Sequence, residues 1–328
     1  MVSSMILFAV GAVVSLATSW VVVGRIERVG ERLNMSEGLL GMVAALAADA
    51  PEITTAVTAV SHHEHAVGAG VVLGSNVFNL AALLGLAAIL AGRTALHRRV
   101  VLLGGAVSVA VAAVATATVV TGSWAAPGLA ASALVVGAYA WVLATRGRGR
   151  LLPAGWSRWL ASAVAEEEME LEQAIRPRPG TAADVAVSAG GLLVVVVAST
   201  VMERAASELG QRWSVPGIVV GGLVLAAVTS LPNAVSGAYL GARGRGAALL
   251  STTLNSNNLN VVAGLLLPAA VTGLAAPSGS GELVVAWYAA LTLVALALAW
   301  VGRGLSRRDG IAIVAAYVAF VAALVALA

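Results

Sequence analysis

Ten stretches of this chain are each long and apolar enough to cross a lipid bilayer, and a chain so built has few ways to fold. They lie at roughly 3–24, 38–60, 67–92, 100–121, 124–145, 182–202, 216–241, 247–273, 283–302 and 310–327. A membrane-spanning helix needs about 20 predominantly apolar residues. Inside hydrocarbon every backbone N–H and C=O must be bonded internally, so these runs are expected to be helices. The first run has no basic segment before it and reads as a retained span rather than a cleaved leader. Composition agrees: 59% of the 328 residues are hydrophobic, 11% are charged, and the mean hydropathy is +0.94, more apolar surface than a soluble domain can bury.

The charges orient the spans. All 19 basic residues are arginine. With the N-terminus outside, the inner loops hold Arg25, Arg28 and Arg32, then Arg93, Arg98 and Arg99, then Arg146, Arg148, Arg150, Arg158, Arg176 and Arg178. Arg243, Arg245, Arg303, Arg307 and Arg308 follow, so 17 of 19 lie inside and only Arg204 and Arg212 outside. Basic residues concentrate in cytoplasmic loops, which supports ten spans in this register. The pI near 9.9 therefore reflects membrane topology and not nucleic-acid binding. The absence of lysine, with the abundance of Ala, Gly and Val, points to a GC-rich bacterial genome and so to a bacterial inner membrane. With no cysteine, thiol chemistry and cysteine metal sites are excluded.

Two spans are interrupted by polar residues. AADAPEITTAV (47–57) places Asp49 and Glu52 around Pro51, and VTSLPNAVSG (228–237) places Thr229, Ser230 and Asn233 around Pro232. Each is followed by a second polar motif, GSNVFN at 74–79 and NSNNLN at 255–260. Gly41 and Gly222, Pro51 and Pro232, Ser75 and Ser256, Asn76 and Asn257, and Asn79 and Asn260 are all 181 residues apart, a strong signal of an internal repeat. That offset passes five spans. Five is odd, so the second copy enters the membrane from the opposite side, as in secondary transporters whose site lies where broken helices meet at the midplane. The expected fold is an all-α membrane protein of ten transmembrane helices, arranged as two inverted five-helix repeats, 1–146 and 181–328, joined by a cytoplasmic loop at 147–180.

Each proline lacks an N–H, so the carbonyls of Ala47 and Val228 lose their helical partners. Carbonyls freed in hydrocarbon must be satisfied by protein, water or an ion. Asp49, Glu52, Thr229, Ser230 and Asn233 flank the breaks, while Ser75, Asn79, Ser256 and Asn260 line single faces of the partner helices. Every one of these ligands is an oxygen, which suits hard cations such as Na⁺, Ca²⁺, Mg²⁺ and Mn²⁺ and disfavours zinc and copper. Small polar residues also hold membrane helices together. A mid-bilayer carboxylate is different: it costs about 3 kcal/mol or more unless paired or functional, and no arginine lies within a span to pair with it.

These residues resemble the repeats of the calcium/cation antiporter superfamily, which contains the sodium/calcium and proton/calcium exchangers. Members typically carry G-T-S-x-P-E followed by G-S-N-x-x-N/D, twice. Here the copies read AADAPE with GSNVFN, and VTSLPN with NSNNLN, covering about 38–82 and 219–263. The resemblance implies that Glu52, Ser75 and Asn79, with Thr229, Ser230 and Ser256, are ion ligands. It implies an antiporter exchanging a divalent cation, Ca²⁺ first among them, for Na⁺ or H⁺ by alternating access. Three positions depart from the pattern. Asn233 stands where the family usually has a second glutamate, Asn260 where sodium/calcium exchangers usually have an aspartate, and Asp49 where the first copy normally has a hydroxyl. Acid has moved onto one helix.

A cation channel, or a sensor that keeps the exchanger fold without transporting, are the alternatives; paired inverted breaks favour a transporter. No nucleophile-and-base pair lies in the spans, so an enzyme is not expected. Inorganic cations and the lipid bilayer are the expected partners, with no resident cofactor. HHEH (62–65) is an outer loop that offers three imidazoles and a carboxylate but reads more simply as solvated. Glu37, Asp184 and Glu203 lie near span ends and are expected to meet water. The central loop reads as an amphipathic helix, with Trp156 and Trp159 suited to the membrane interface, followed by an acidic stretch; it is expected to be a solvated connector between the halves, with a regulatory or ion-attracting role as the alternative.

Overall fold

The computed structural model describes residues 2–148, 153–174, 179–274 and 276–327. Arg150, Arg176 and Arg178 of the arginine count lie outside the described residues, as do the side chains of Glu37 and of the acidic run 167–172. The first half consists of α1 (Val2–Arg32), α2 (Glu37–Ala48), α3 (Ala50–Ser61), α4 (His65–Asn79), α5 (Ala87–Ala91), β1 (Arg93–Ala95), α6 (Arg98–Thr121) and α7 (Ala125–Ala144). The connector carries α8 (Ala154–Ala174). The second half consists of α9 (Ala182–Arg212), α10 (Gly217–Val219), α11 (Ala226–Thr229), α12 (Leu231–Ala242), α13 (Gly246–Leu259), α14 (Leu267–Thr272), α15 (Gly279–Gly302), β2 (Gly304–Ser306) and α16 (Arg307–Ala326).

Seven helices are long and apolar enough to span a bilayer by themselves, and nine spans result when each of two bent pairs is counted as one. The bends are 52° between α2 and α3 and 49° between α11 and α12. They fall at Asp49 and Ser230, just before each proline, because proline fits the first turn of the following helix, where its missing N–H costs nothing. The tenth expected run is helical from Gly246 through a π-helical stretch, Asn260–Leu266, to Thr272. Asn255, Ser256, Asn257, Asn258 and Asn260 make its middle too polar to register as a span on apolarity alone.

The inverted relation of the halves is visible in their first helices. α1 and α9 run antiparallel along each other. Ser4 Oγ donates to Glu208 Oε2 (2.9 Å) at one end, Ser15 and Ser199 hydroxyls meet midway (2.7 Å), and Arg25 Nη1 pairs with Asp184 Oδ1 (2.8 Å) at the other. A second signature sits at the centre. Asn76 Nδ2 donates to the Asn257 carbonyl and Asn257 Nδ2 to the Asn76 carbonyl, both at 3.1 Å. Asn79 Nδ2 reaches Asn257 Oδ1 (3.1 Å) and Asn260 Nδ2 reaches Asn76 Oδ1 (3.3 Å). Each bond is the image of the other at the 181-residue offset, which is what a pseudo-two-fold axis between Asn76 and Asn257 requires.

The arginine-bearing loops gather at one end. β1 pairs antiparallel with β2, Leu96 N donates to the Arg303 carbonyl, Arg307 N to the Gly92 carbonyl, and Gly180 N to the Arg28 carbonyl. α8 docks at this same end through buried Leu160, Ala163 and Val164, with Glu166 3.6 Å from Arg99, while Trp156 stays exposed. Asp184 and Glu203 are not solvated as their positions near span ends implied. Asp184 is buried because Arg25 and Arg28 converge on it, and Glu203 is 1% exposed, folded between α3 and α9 beside Ser207 and His62.

Candidate cation site

Three pairs of elements converge on one buried region: the α2/α3 break, the α11/α12 break, and the polar faces of α4 and α13. Asp49 and Glu52 are both completely buried. Asp49 Oδ1 accepts from Ser256 Oγ (2.7 Å) and Asn233 Nδ2 (2.8 Å), and Glu52 Oε1 accepts from Ser230 Oγ (2.6 Å). Ser256 also accepts from Asn79 Nδ2 (3.2 Å) and Asn233 Nδ2 (3.3 Å). The second repeat therefore supplies donors to both acids of the first. Asp49, Glu52, Asn79, Ser230, Asn233 and Ser256 form one locality, and Asn260 joins it through Asn76. Ser75 is fully buried with its hydroxyl unbonded. Thr229 is buried but bonds within its own helix, to the Leu225 carbonyl (2.9 Å).

What the network leaves over is a set of oxygens. Asp49 Oδ2, Glu52 Oε2, Ser75 Oγ, Asn79 Oδ1 and Asn260 Oδ1 are buried and make no hydrogen bond among the described residues. No guanidinium pairs with either carboxylate among the described residues. Buried acceptors without donors are costly in a protein interior, and a hard cation with six to eight oxygen ligands would satisfy them.

The backbone is prepared for such a site. π-helical turns follow Asn79 (Leu80–Leu86) and begin at Asn260, and a third precedes the second break (Val220–Leu225); such turns frequently accompany functional sites. The glycine of the GSN motif has a packing reason. A Cβ on Gly74 would lie 2.6 Å from Gly222 Cα, and one on Gly70 2.9 Å from Gly222 N, so α4 and the stretch before α11 meet backbone to backbone. Gly222 is the repeat partner of Gly41.

Sequence reasoning missed Ser19. Its hydroxyl on α1 lies within 3.2 Å of the Ala47 carbonyl and 3.3 Å of the Ala48 carbonyl, the groups left over at the first break. A lone serine in an apolar run gives no sign of this role. Thr55 Oγ1, buried and unbonded one turn beyond Glu52, was also missed. The HHEH segment is more engaged than a free loop. Glu64 accepts from Ser207 and from Gln211 Nε2 (3.3 Å), and His62 lies 2.9 Å from Arg204 Nη2. Among the described residues, no group of three or more His, Cys, Asp or Glu is placed to hold a metal ion.

From the arginine-bearing end, a cavity of about 480 Å³ runs between α1, α2 and α12 down to Ala48, Pro232 and Asn233. The Asn233 amide stands between the cavity and Asp49.

The chain is similar to solved exchangers along nearly its whole length. A sodium-calcium exchanger, NCX_Mj, soaked with 10 mM Na⁺ and zero Ca²⁺ superposes with a TM-score of 0.64 at 20% identity, covering 97% of this chain and 98% of that one. The same exchanger soaked with 100 mM Na⁺ and 10 mM Sr²⁺ gives 0.65 at 20% identity, covering 97% of each chain. The H⁺/Ca²⁺ exchanger CAX gives 0.71 at 12% identity, covering 99% of this chain and 86% of that one. At such identities the likeness establishes the fold. No curated relative matches the sequence. The sodium/calcium exchanger protein model matches residues 3–147 and 184–326, both halves without the connector, and so this chain belongs to the sodium/calcium exchanger family of membrane-spanning cation transporters and is not an enzyme.

Proposed function

We propose that the protein is a secondary antiporter that carries a hard divalent cation, Ca²⁺ foremost, against Na⁺ or H⁺ by alternating access at Asp49 and Glu52. The observation that carries this reading is the pair of fully buried carboxylates, each with one oxygen bonded to the opposite repeat and one oxygen free. Asn79, Ser75, Ser256 and Asn260 complete the proposed ligand shell from α4 and α13, and Ser230, Asn233 and Thr229 from the second break.

Access supports a transporter over a channel. The cavity approaches the site from the arginine-bearing end, which the charge count assigns to the cytoplasm. At the opposite end a cavity of about 420 Å³ reaches Val67 and Val220 but none of the candidate ligands, and beyond it α4 is packed onto the stretch before α11 with no room for a Cβ at Gly70 or Gly74. The first cavity stops at Asn233, and Asp49 and Glu52 are fully buried; a site closed from solvent is one state of an alternating cycle, whereas a conducting pore needs a path open at both ends together.

The test is Ca²⁺ flux into proteoliposomes, with Na⁺ and pH gradients imposed separately. Flux is expected only when a counter-ion is present on the far side. Glu52→Gln should abolish it while the protein stays folded and monodisperse, because removing an uncompensated buried charge costs the fold little. Undiminished exchange in Glu52→Gln would place the site elsewhere.

A further inference from the structure

The cavity that leads to the site holds a carboxylate that neither the repeats nor the candidate ligand shell includes. Glu27 lies on the α1 wall, with Trp20 nearer the site and Tyr239 and Gly41 on the facing walls. Its depth can be read from α1 itself. Ser19 reaches the carbonyls at the α2/α3 break, and Glu27 is eight residues further along the same helix, about 12 Å at 1.5 Å of rise per residue. Glu27 therefore stands about 12 Å from the level of the break, on the route between the arginine-bearing end and Asn233.

Its neighbours do not neutralise it. Arg25 and Arg28, flanking it on α1, turn to Asp184 at 2.8 and 3.6 Å. Arg243 stacks on the Tyr239 ring, 4.3 Å from its centroid. Glu27 itself makes no hydrogen bond or ion pair among the described residues; burial, the one influence on it, disfavours its charged form, which a cation arriving beside it favours again. A carboxylate left unpaired on the wall of a half-enclosed cavity draws cations toward it, because low-dielectric walls focus its field. A cavity of about 480 Å³ holds a divalent ion with much of its water, at about 30 Å³ per water molecule.

We propose that Glu27 is an entrance station for the transported cation: a carboxylate that captures the partly hydrated divalent ion from the cytoplasmic side and hands it down the α2/α12 wall to Asp49. This rests on the antiporter reading. It adds a site that acts from one side of the membrane only and sets the apparent affinity there without taking part in the central ligand shell.

The experiment measures the half-saturating Ca²⁺ concentration and the maximal rate from each side, in oriented proteoliposomes, for the native protein and for E27Q. A unit charge about 8 Å from a partly hydrated divalent ion at the entrance, at an effective dielectric near that of water, changes its capture about sixfold. E27Q should raise the cytoplasmic half-saturating concentration by that factor and leave the maximal rate and the opposite side unchanged. Because the chain has no cysteine, E27C provides a second arm that also serves if E27Q folds poorly. A membrane-impermeant negatively charged sulfonate reagent at that position should restore the native value, and a positively charged trimethylammonium reagent should raise it further. An equal effect on both sides, no change in half-saturation, identical outcomes with the two reagents, or total loss of transport in folded E27Q would each overturn the proposal. Exchange surviving Glu52→Gln would instead sink the central-site reading and leave a sided effect of Glu27 standing.

Discussion

The charge of the buried network sets an expectation for the electrical character of transport. Asp49 and Glu52 are the only ionisable groups in it; Ser75, Asn79, Ser230, Asn233, Ser256 and Asn260 are neutral. The network's own side chains thus carry at most two negative charges, and no arginine offsets them among the described residues. Moving net charge through the low-dielectric centre is costly, so each crossing state should be close to neutral. One divalent cation neutralises both carboxylates on one leg. Two Na⁺, two H⁺, or one of each do so on the return. Exchange should then be insensitive to membrane potential. The alternative has a definite size. One net charge per cycle is worth about 2.3 kcal/mol per 100 mV, which at 1.36 kcal/mol per decade shifts the equilibrium Ca²⁺ gradient about fiftyfold. Proteoliposomes clamped with K⁺ and valinomycin at 0 and 100 mV separate the two cases. A plateau shifted by less than about twofold agrees with the two-charge count, and a shift near fiftyfold refutes it. Asn260→Asp adds a third carboxylate beside Asn76 and should convert the first behaviour to the second. If it does not, residue 260 does not face the transported ion.

Other consequences are more local. Gly74→Val drives a side chain into Gly222 and should cost about 1–3 kcal/mol by overpacking, seen as a lower melting temperature in detergent; unchanged melting would refute the close backbone approach of α4. Ser19→Ala withdraws the hydroxyl from the Ala47 and Ala48 carbonyls and should lower stability by about 1–3 kcal/mol, read as a lower melting temperature in detergent; unchanged melting would show that the hydroxyl does not cap the break. Single cysteines at His63 and Arg308, both exposed, should label respectively from outside intact cells and only after permeabilisation; the reverse pattern would overturn the arginine-based orientation.

The broken helices were legible because both signals are local and chemical: polar residues within long apolar runs, and a proline that cannot continue a helix. The inverted relation was legible because several polar identities share one offset, and the Asn76–Asn257 exchange of hydrogen bonds shows how literally the two copies face each other. The π-helical turns left no such trace, since the residues of 80–86 and 220–225 suit an ordinary helix equally well. The β1–β2 ribbon pairs two three-residue segments, too short for alternation to appear. Glu203 misled because proximity to a span end measures depth along the helix, whereas its burial comes from residues brought in by α3 and its loop. Ser19 and Glu27 stayed hidden for a related reason. Their significance lies in what α1 passes, and nothing in α1 names its neighbours.

The two copies diverge where the ion is proposed to sit, and the divergence has a chemical logic. With a glutamate at position 233, the network would hold three carboxylates. As an amide, Asn233 donates to Asp49 instead, and Ser230 and Ser256 donate to Glu52 and Asp49. A hydroxyl carries one proton and two lone pairs. Ser230 and Ser256 can point the proton at a carboxylate while no cation is bound, and rotate to offer a lone pair when one is. Asn233 can do the same by turning its amide to present Oδ1. In the proposed cycle, neutral groups that serve as donor in one state and ligand in the next would let both legs stay close to neutral, with the two carboxylates fixed at one helix break and no charged side chain required to swing in or out.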